Sequence, residues 1–364
     1  MSTPSRSCPS TETKSGSRNR PRSSSGSSSL ASPRSAAVRC VLLHPGYVRT
    51  LNFHPMWSNS WCYSCLERPR RRSRNLSRGR FVLACMHSES SRFFGSLVVV
   101  LGAMAVLALA ETVVPLRRDG EARRRHLRAN LGLTAAYLLL NFVMGVGAAV
   151  AFDALGAHGC RLLSGYELPK VALIATGIVA LDFSSYVAHW LMHHAPALWR
   201  VHRVHHVDPF VDVTTAFRQH PLEGLIRFVF TMAPAWVLGL PVEAIAIYRL
   251  LSAANAVLEH ANVRVWRPLD SALSLAIVTP NMHKVHHSRL QRETDSNYGN
   301  ILSFFDRVFR TFTPTARAPT IEYGLDGYDT TELQRVSKLM RLPFEGEVAA
   351  AVMTSRLRGE EAGR

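Results

Sequence analysis

Eleven of the sixteen histidines in this 364-residue chain fall between His189 and His287. His189 and His193 are four residues apart, the spacing that places two side chains on one face of a helix. His202, His205 and His206 follow an i, i+3, i+4 pattern, and His283, His286 and His287 repeat it. Each triad crowds three imidazoles onto one side of a single turn. His260 stands between them, in Glu259-His260-Ala261-Asn262. Neutral imidazole offers a lone pair near pH 7 and is the commonest metal ligand. A mononuclear zinc site takes about four ligands. Eight or nine histidines exceed that, and their number fits two metal ions held close together.

The elements that carry these histidines are apolar. Residues 93–110 contain no charge before Glu111, and residues 131–152 form a second uncharged run. Either run has the length that a hydrocarbon core of about 30 Å requires of a helix. A third stretch, from Val171 toward Trp190, is interrupted only by Asp182. A fourth region, residues 228–240 and 242–258, is split by Gly239-Leu240-Pro241 and contains Arg249. Each of its arms is short for a full crossing, so it reads as a helical hairpin. The expected fold is all-α: a bundle of about four transmembrane helices, the hairpin included, with a histidine-rich helical lobe. A buried soluble bundle is the competing reading.

Arginine sets the orientation. The first loop holds Arg117, Arg118, Arg123, Arg124, Arg125 and Arg128, and the second only Arg161 and Lys170. By the positive-inside rule the first loop is cytoplasmic. The end of the third span, both ends of the hairpin and every clustered histidine then lie on the cytoplasmic face. Imidazole suits iron, copper, nickel and zinc alike. A dinuclear site where a membrane helix meets water receives electrons from the cytosol and an apolar substrate from the bilayer, an arrangement that favours iron and dioxygen.

The net charge of +17 does not signify nucleic-acid binding. Residues 1–85 hold 15 basic residues and two acids, Glu12 and Glu67, which leaves +4 for the rest of the chain. They also hold 19 serines and five of the six cysteines, so Cys160 has no disulfide partner in the main domain. Such a Ser/Arg-rich segment buries too little apolar surface to offset its ordering entropy, and disorder is expected. Cys62 and Cys65 form a C-x-x-C without a second pair at zinc spacing. His44-Pro45-Gly46 resembles a cytochrome b5 haem loop without room for that domain. Four regions follow: an extension over 1–85, two transmembrane helices over 86–170, the histidine-bearing membrane region over 171–312 and a cytosolic tail over 313–364. The natural start is expected near Met86, with a targeting peptide as the alternative; N-terminal sequencing of the natural protein checks this.

Over roughly residues 90–345 the chain resembles the fatty acid hydroxylase / sterol desaturase superfamily of integral membrane di-iron enzymes. The resemblance rests on His189-Trp190-Leu191-Met192-His193, on Leu198-Trp199-Arg200-Val201-His202-Arg203-Val204-His205-His206, and on Thr279-Pro280-Asn281-Met282-His283-Lys284-Val285-His286-His287-Ser288. Arg218-Gln219-His220-Pro221-Leu222-Glu223 and Thr294-Asp295-Ser296-Asn297-Tyr298-Gly299 extend it. It implies two iron ions, with O₂ and two electrons used to hydroxylate or desaturate lipid C–H bonds. The implied ligands are His189, His193, His202, His205, His206, His283, His286 and His287, with His260 a ninth. His220 is either a further ligand or a cap on its own turn, and His194 points off the shared face.

Asp182, Tyr186, Asn262 and Asn297 have the chemistry to hydrogen-bond the non-ligating ring nitrogens. Where the family has Trp-Asp followed by Gly, this chain reads Phe305-Asp306 and Arg310. The implied partners are a lipid substrate and a separate ferredoxin- or cytochrome b5-like electron donor, whose acidic face Arg200, Arg203, Lys284 and Arg289 could meet. A solvated or headgroup-facing role explains the same charges. Rival readings are a haem protein, a zinc hydrolase and a non-catalytic metal-binding or lipid-scaffold membrane protein. Haem predicts histidine pairs on two helices rather than triads, and a zinc hydrolase wants a Glu between the histidines, where Trp190, Leu191 and Met192 stand.

Overall fold

The computed structural model describes residues 38–44, 47–53, 74–118, 120–155, 162–163, 166–328 and 330–345. The chain divides into two units, residues 1–70 and 71–364. In the first, β1 (Val38–His44) pairs antiparallel with β2 (Tyr47–Phe53), Val38 opposite Phe53 and His44 opposite Tyr47. Val38, Val41 and Val48 favour the extended backbone. The expectation of disorder throughout 1–85 is corrected at this pair. Cys62, Cys65, Pro45 and Gly46 lie outside the described residues.

The second unit is helical, and its described residues contain only isolated β-bridges. Its long elements are α1 (Arg74–Val113), α2 (Gly120–Leu155) and α3 (Lys170–His194), followed by α4 (Pro196–His206), α5 (Pro221–Leu238) and α6 (Val242–His260). The boundary expected at 85/86 therefore falls inside α1. Four segments are long and apolar enough to cross a membrane: Ser90–Val113, His126–Ala148, Lys170–His194 and Pro221–Leu238. Val98, Val106, Leu109 and Leu139 on the first two are exposed, an apolar surface that a bilayer solvates. The protein is an integral membrane protein.

The fourth span differs from the expected pair of short arms. α5 starts seven residues before the apolar run because Pro221 occupies its first turn and the His220 ring accepts a hydrogen bond from Leu222 N (3.1 Å). Gly239, at φ 70°, ends it. α5 and α6 both pack on α3 through Leu181, Ala235, Leu240, Ile245 and Tyr248. Gly177 permits the approach of α3 to α6, since a Cβ there would stand 2.9 Å from the Ala244 Cβ.

Buried Glu111, at the end of α1, ties the helix ends together. Its carboxylate accepts from Val213 N (2.8 Å), from Asn262 N just past α6 (2.9 Å) and from Arg123 on α2 (2.8 Å). The arginine-rich α1–α2 loop thus sits on the same side as the end of α6 and the lobe that follows α4. That lobe contains α7 (Arg267–Leu273), α8 (Pro280–His286), α9 (Gln291–Thr294) and α10 (Phe304–Val308). Beyond it comes α11 (Val336–Leu339).

The region expected as a tail packs back on this lobe as far as residue 345. Tyr328, Leu339 and Leu342 join Ala129, Leu133, Val204 and Val207, while Ala318, Ile321 and Tyr323 join Val211 and Val285. Arg203 fastens the clasp, donating to Tyr328 Oη (3.1 Å) and to the carbonyls of Leu342 (2.6 Å) and Glu345 (2.8 Å). Arg203 and Lys284 are both buried, the lysine donating to the His260 carbonyl, which removes them from any donor-docking face. Arg289 is bound to Asp326 and the Tyr323 carbonyl. Arg203→Ala should destabilise the protein by about 2–4 kcal/mol through the loss of charge-assisted hydrogen bonds. Detergent-phase unfolding checks this, and proteolysis should then cut first within residues 325–345.

Candidate metal centre

Local sequence aims the histidines. α3 ends at His194 because Pro196 forces Ala195 into an extended conformation (φ −95°, ψ 116°) and then opens α4 at its first position. This single-residue link folds the last turn of α3 back against α4. His260 closes α6. Thr279 caps α8, accepting from Met282 N (3.2 Å), and Pro280 starts it, which fixes the phase of His283, His286 and His287.

The structure brings all nine expected histidines together, in two groups. His189, His193, His202, His206 and His286 form one; His205, His260, His283 and His287 form the other, with ligand atoms within 4.8 Å of one another in each. The triads are divided between the groups. His202 and His206 share the first while His205 crosses to the second; His283 and His287 share the second while His286 crosses to the first. The groups adjoin, with the His206 and His287 rings stacked at 4.7 Å.

The ring nitrogens face two ways. Outward, His189 Nδ1 donates to the Tyr298 carbonyl (2.9 Å), His205 Nδ1 to Arg218 O (3.2 Å), His260 Nδ1 to Ala256 O (2.7 Å) and His286 Nδ1 to Ser296 O (2.8 Å). His193 Nδ1 hydrogen-bonds Asp295 Oδ1 (3.2 Å), whereas His202 Nδ1 has Glu223 Oε1 3.0 Å away without a hydrogen bond. A ring whose Nδ1 carries the proton has a bare lone pair on Nε2. Inward, the bare Nε2 of His189 is 3.1 Å from His202 Nε2, and the bare Nε2 atoms of His205 and His260 are also 3.1 Å apart. His283 Nε2 is 2.9 Å from His260 Nε2, and the Nε2 atoms of His193 and His286 are buried without a partner. Lone pairs at such distances repel unless a cation lies between them. With metal–nitrogen bonds of about 2.0–2.1 Å, neighbouring ligands around one ion stand about 2.9–3.4 Å apart. The donor set therefore fits metal.

Burial keeps these rings unprotonated. It holds His202, His206, His283, His286 and His287 well below the usual 6.5, reinforced by neighbouring imidazoles. Burial, then the charge of Arg227, brings His205 down to about 3.

The residues expected to support the rings do other work. Asp182 accepts from Asn300 Nδ2 and from the backbone of Ile301 and Leu302; Tyr186 bonds Thr311 Oγ1 (2.9 Å). Asn262 pairs with both backbone groups of Arg117, and Asn297 bridges Met282 O to Thr313. His220 caps α5 and reaches Met340 O (3.2 Å), away from both groups. None of the first four hydrogen-bonds a ring of the nine, which corrects that expectation, and of the two roles open to His220 the structure shows the cap. His194 is exposed and stacked on Trp190.

The side chains that touch the rings from outside are Asp295, hydrogen-bonded to His193, and Glu223, in contact with His202. Both lie in quoted motifs, but the spacing of the histidines did not indicate them; the backbone carbonyls leave no trace in a sequence. Asp306 accepts from Tyr298 N and Gly299 N (2.7 and 2.9 Å), and burial raises its carboxyl to about 6. Arg310 has φ 60°, in the left-handed region that favours glycine.

A small cavity of about 30 Å³ touches both groups, lined by His189, His205, His260 and His283 together with Gln219, Arg227 and Glu259.

The fold and site define a helical membrane protein with a buried, two-part histidine centre. The family model described as fatty acid hydroxylase matches residues 174–311, which include all nine histidines. The ornithine lipid hydroxylase OlsE of Rhizobium tropici is 31% identical over 240 residues, covering 63% of this chain and 70% of that protein. The alkylglycerol monooxygenases of Caenorhabditis elegans and Danio rerio are 27% and 30% identical over 146 and 148 residues. Those matches cover 40% of this chain in each case, and 28% and 31% of the two relatives. No solved structure matches the chain. The chain belongs to the fatty acid hydroxylase family.

Rings whose pKa folding lowers bind fewer protons folded than unfolded, so their stability contribution is complete above about pH 6.5 and lost as pH falls, toward about 3 for His205. Asp306 and Glu259, whose carboxyls burial raises, act oppositely in acid, but they are two carboxyls against six imidazoles. The melting temperature of the metal-free protein should therefore fall from pH 7.5 to pH 5, at up to about 1.4 kcal/mol per pH unit per ring. A flat profile would contradict a neutral buried cluster.

Proposed function

We propose that the nine histidines hold two iron ions and that the enzyme uses O₂ and external electrons to hydroxylate a C–H bond of a membrane lipid. The observation that carries this is the pair of inward-facing Nε2 sets. His189, His193, His202, His206 and His286 would hold one ion, and His205, His260, His283 and His287 the other. Two irons bound there would bind and activate O₂, which is the oxidant for the unactivated C–H bond. The chain supplies geometry: the acceptors on Nδ1 fix tautomer and ring angle. Trp199 and Tyr298, each with its ring 5.1 Å from that of His193, cover the first group. The exposed apolar helices present a lipid from the bilayer.

Hydroxylation is favoured over desaturation because the relatives are named as a hydroxylase and as monooxygenases. The arginine-rich first loop lies on the side of the histidines, which supports a cytoplasmic site. The electrons come from a separate ferredoxin- or cytochrome b5-like protein.

Elemental analysis with Mössbauer spectroscopy on the detergent-purified full chain should find two coupled, histidine-bound irons. His205→Ala or His286→Ala should abolish metal binding and lipid-dependent O₂ uptake together. His220→Ala should keep both and cost only about 1 kcal/mol, as the loss of a helix cap does. A single zinc, a haem spectrum or full activity in either of the first two variants would sink the proposal.

A further inference from the structure

The cavity beside the two histidine groups is polar on the side away from the rings. Arg227 lines it, and its Nε donates to Glu223 Oε1 (2.9 Å), whose other contact is His202 Nδ1. Among the described residues the guanidinium has no second partner, so its terminal N–H groups are free. Gln219, also on the wall and 8% exposed, has its Oε1 buried without a hydrogen bond. Asn300 is fully engaged by Asp182, Tyr248 and Ser252. Glu259 gives Oε2 to Asn255. The Arg227 side chain is 21% exposed, and its open N–H groups, unlike the Gln219 oxygen, are donors that a ligand oxygen can satisfy; a cation inside a membrane helix marks a substrate or ion path by default. Arg227 lies six residues into α5, about 9 Å along its axis, the depth of headgroups and first chain carbons rather than of mid-chain methylenes.

We propose that Arg227 binds an anionic oxygen group of the substrate, a carboxylate or a phosphate ester. The lipid class oxidised is then one whose reacting carbon lies within a few bonds of that group. The inference rests on the oxygenase reading above and specifies its substrate. A cavity of about 30 Å³ admits only one or two heavy atoms without rearrangement. An oxygen on Arg227 and a neighbouring carbon facing His205 and His283 are what such a space holds. The guanidinium suits the task because its planar fork keeps two N–H groups for a ligand while Nε remains on Glu223.

Binding of dodecanoate, dodecyl phosphate and dodecylammonium to the full-length, metal-loaded protein tests this by equilibrium dialysis, with metal content measured in every sample. Wild type should bind at least one of the anions about tenfold or more tighter than the ammonium, the worth of a charge-assisted hydrogen bond. A preference for dodecyl phosphate over dodecanoate identifies a phosphate headgroup, and the reverse a carboxylate. Arg227→Met should erase the preference with metal retained, and Arg227→Lys should keep part of it. No preference in wild type, or an unchanged preference in metal-loaded Arg227→Met, overturns the proposal. Metal loss in both variants overturns it too, since Arg227 would then act only through Glu223 on His202. A wild type that holds no iron but prefers the anions removes the oxygenase reading and leaves the anion site standing.

Discussion

The structure depends on the confrontation of unprotonated ring nitrogens. Nine imidazoles are packed so that their Nε2 atoms approach to 2.9–3.3 Å. Such a core does not hold itself together. It is imposed from outside, by acceptors that take the Nδ1 proton and turn each ring inward. Five of the nine rings have such an acceptor, four of them backbone carbonyls. The helices must therefore be placed accurately as backbone, and much of the polar machinery of the lobe serves that purpose.

The segment 297–302 shows how. Tyr298 presents its carbonyl to His189 only if its peptide plane is fixed, and two buried carboxylates fix it. Asp306 takes the N–H groups of Tyr298 and Gly299, and Asp182, deep in α3, takes those of Ile301 and Leu302. Asn297, at φ 55°, turns the chain into this stretch while its side chain holds α8 and residue 313 together. Gly299 leaves no room for a Cβ, which would stand 2.8 Å from Val278 Cγ2 and 2.9 Å from Asp306 Oδ2. An acid inside a membrane span thus acts on a histidine through the loop it anchors.

The histidines, their pairing on helix faces and three of the four spans were legible because each is a local pattern: spacing on a turn, or an unbroken apolar run. The division of each triad between two groups was not, since it depends on how α4 and α8 face each other. Asp182, Tyr186, Asn262 and Asn297 were assigned to the ring nitrogens on their chemistry alone, but their partners are set by tertiary contact and lie elsewhere. Arg203 and Lys284 illustrate the same limit. Beside a histidine box a basic residue reads as surface charge, yet here each is buried on carbonyls contributed by residues 24 to 142 positions away. The packed segment 313–345 was missed because its apolar residues are sparse and aperiodic, and they complete a core that other elements begin.

The two groups are unequal, and the inequality has a place in the fold. The five-membered group is closed in by Trp199, Tyr298 and the α3–α4 fold-back, with rings on every side. The four-membered group contributes three of its members, His205, His260 and His283, to the cavity wall, whereas the five-membered group contributes only His189. Free space therefore borders the group with fewer nitrogens, where an ion would have more of its coordination left for something other than protein. The wall that completes that space belongs to α5, α6 and the segment before α5, which carry Arg227, Glu259 and Gln219. One group is enclosed by the lobe, and the other opens toward the helices that meet the bilayer. A membrane substrate approaching along those helices would reach the four-histidine side first.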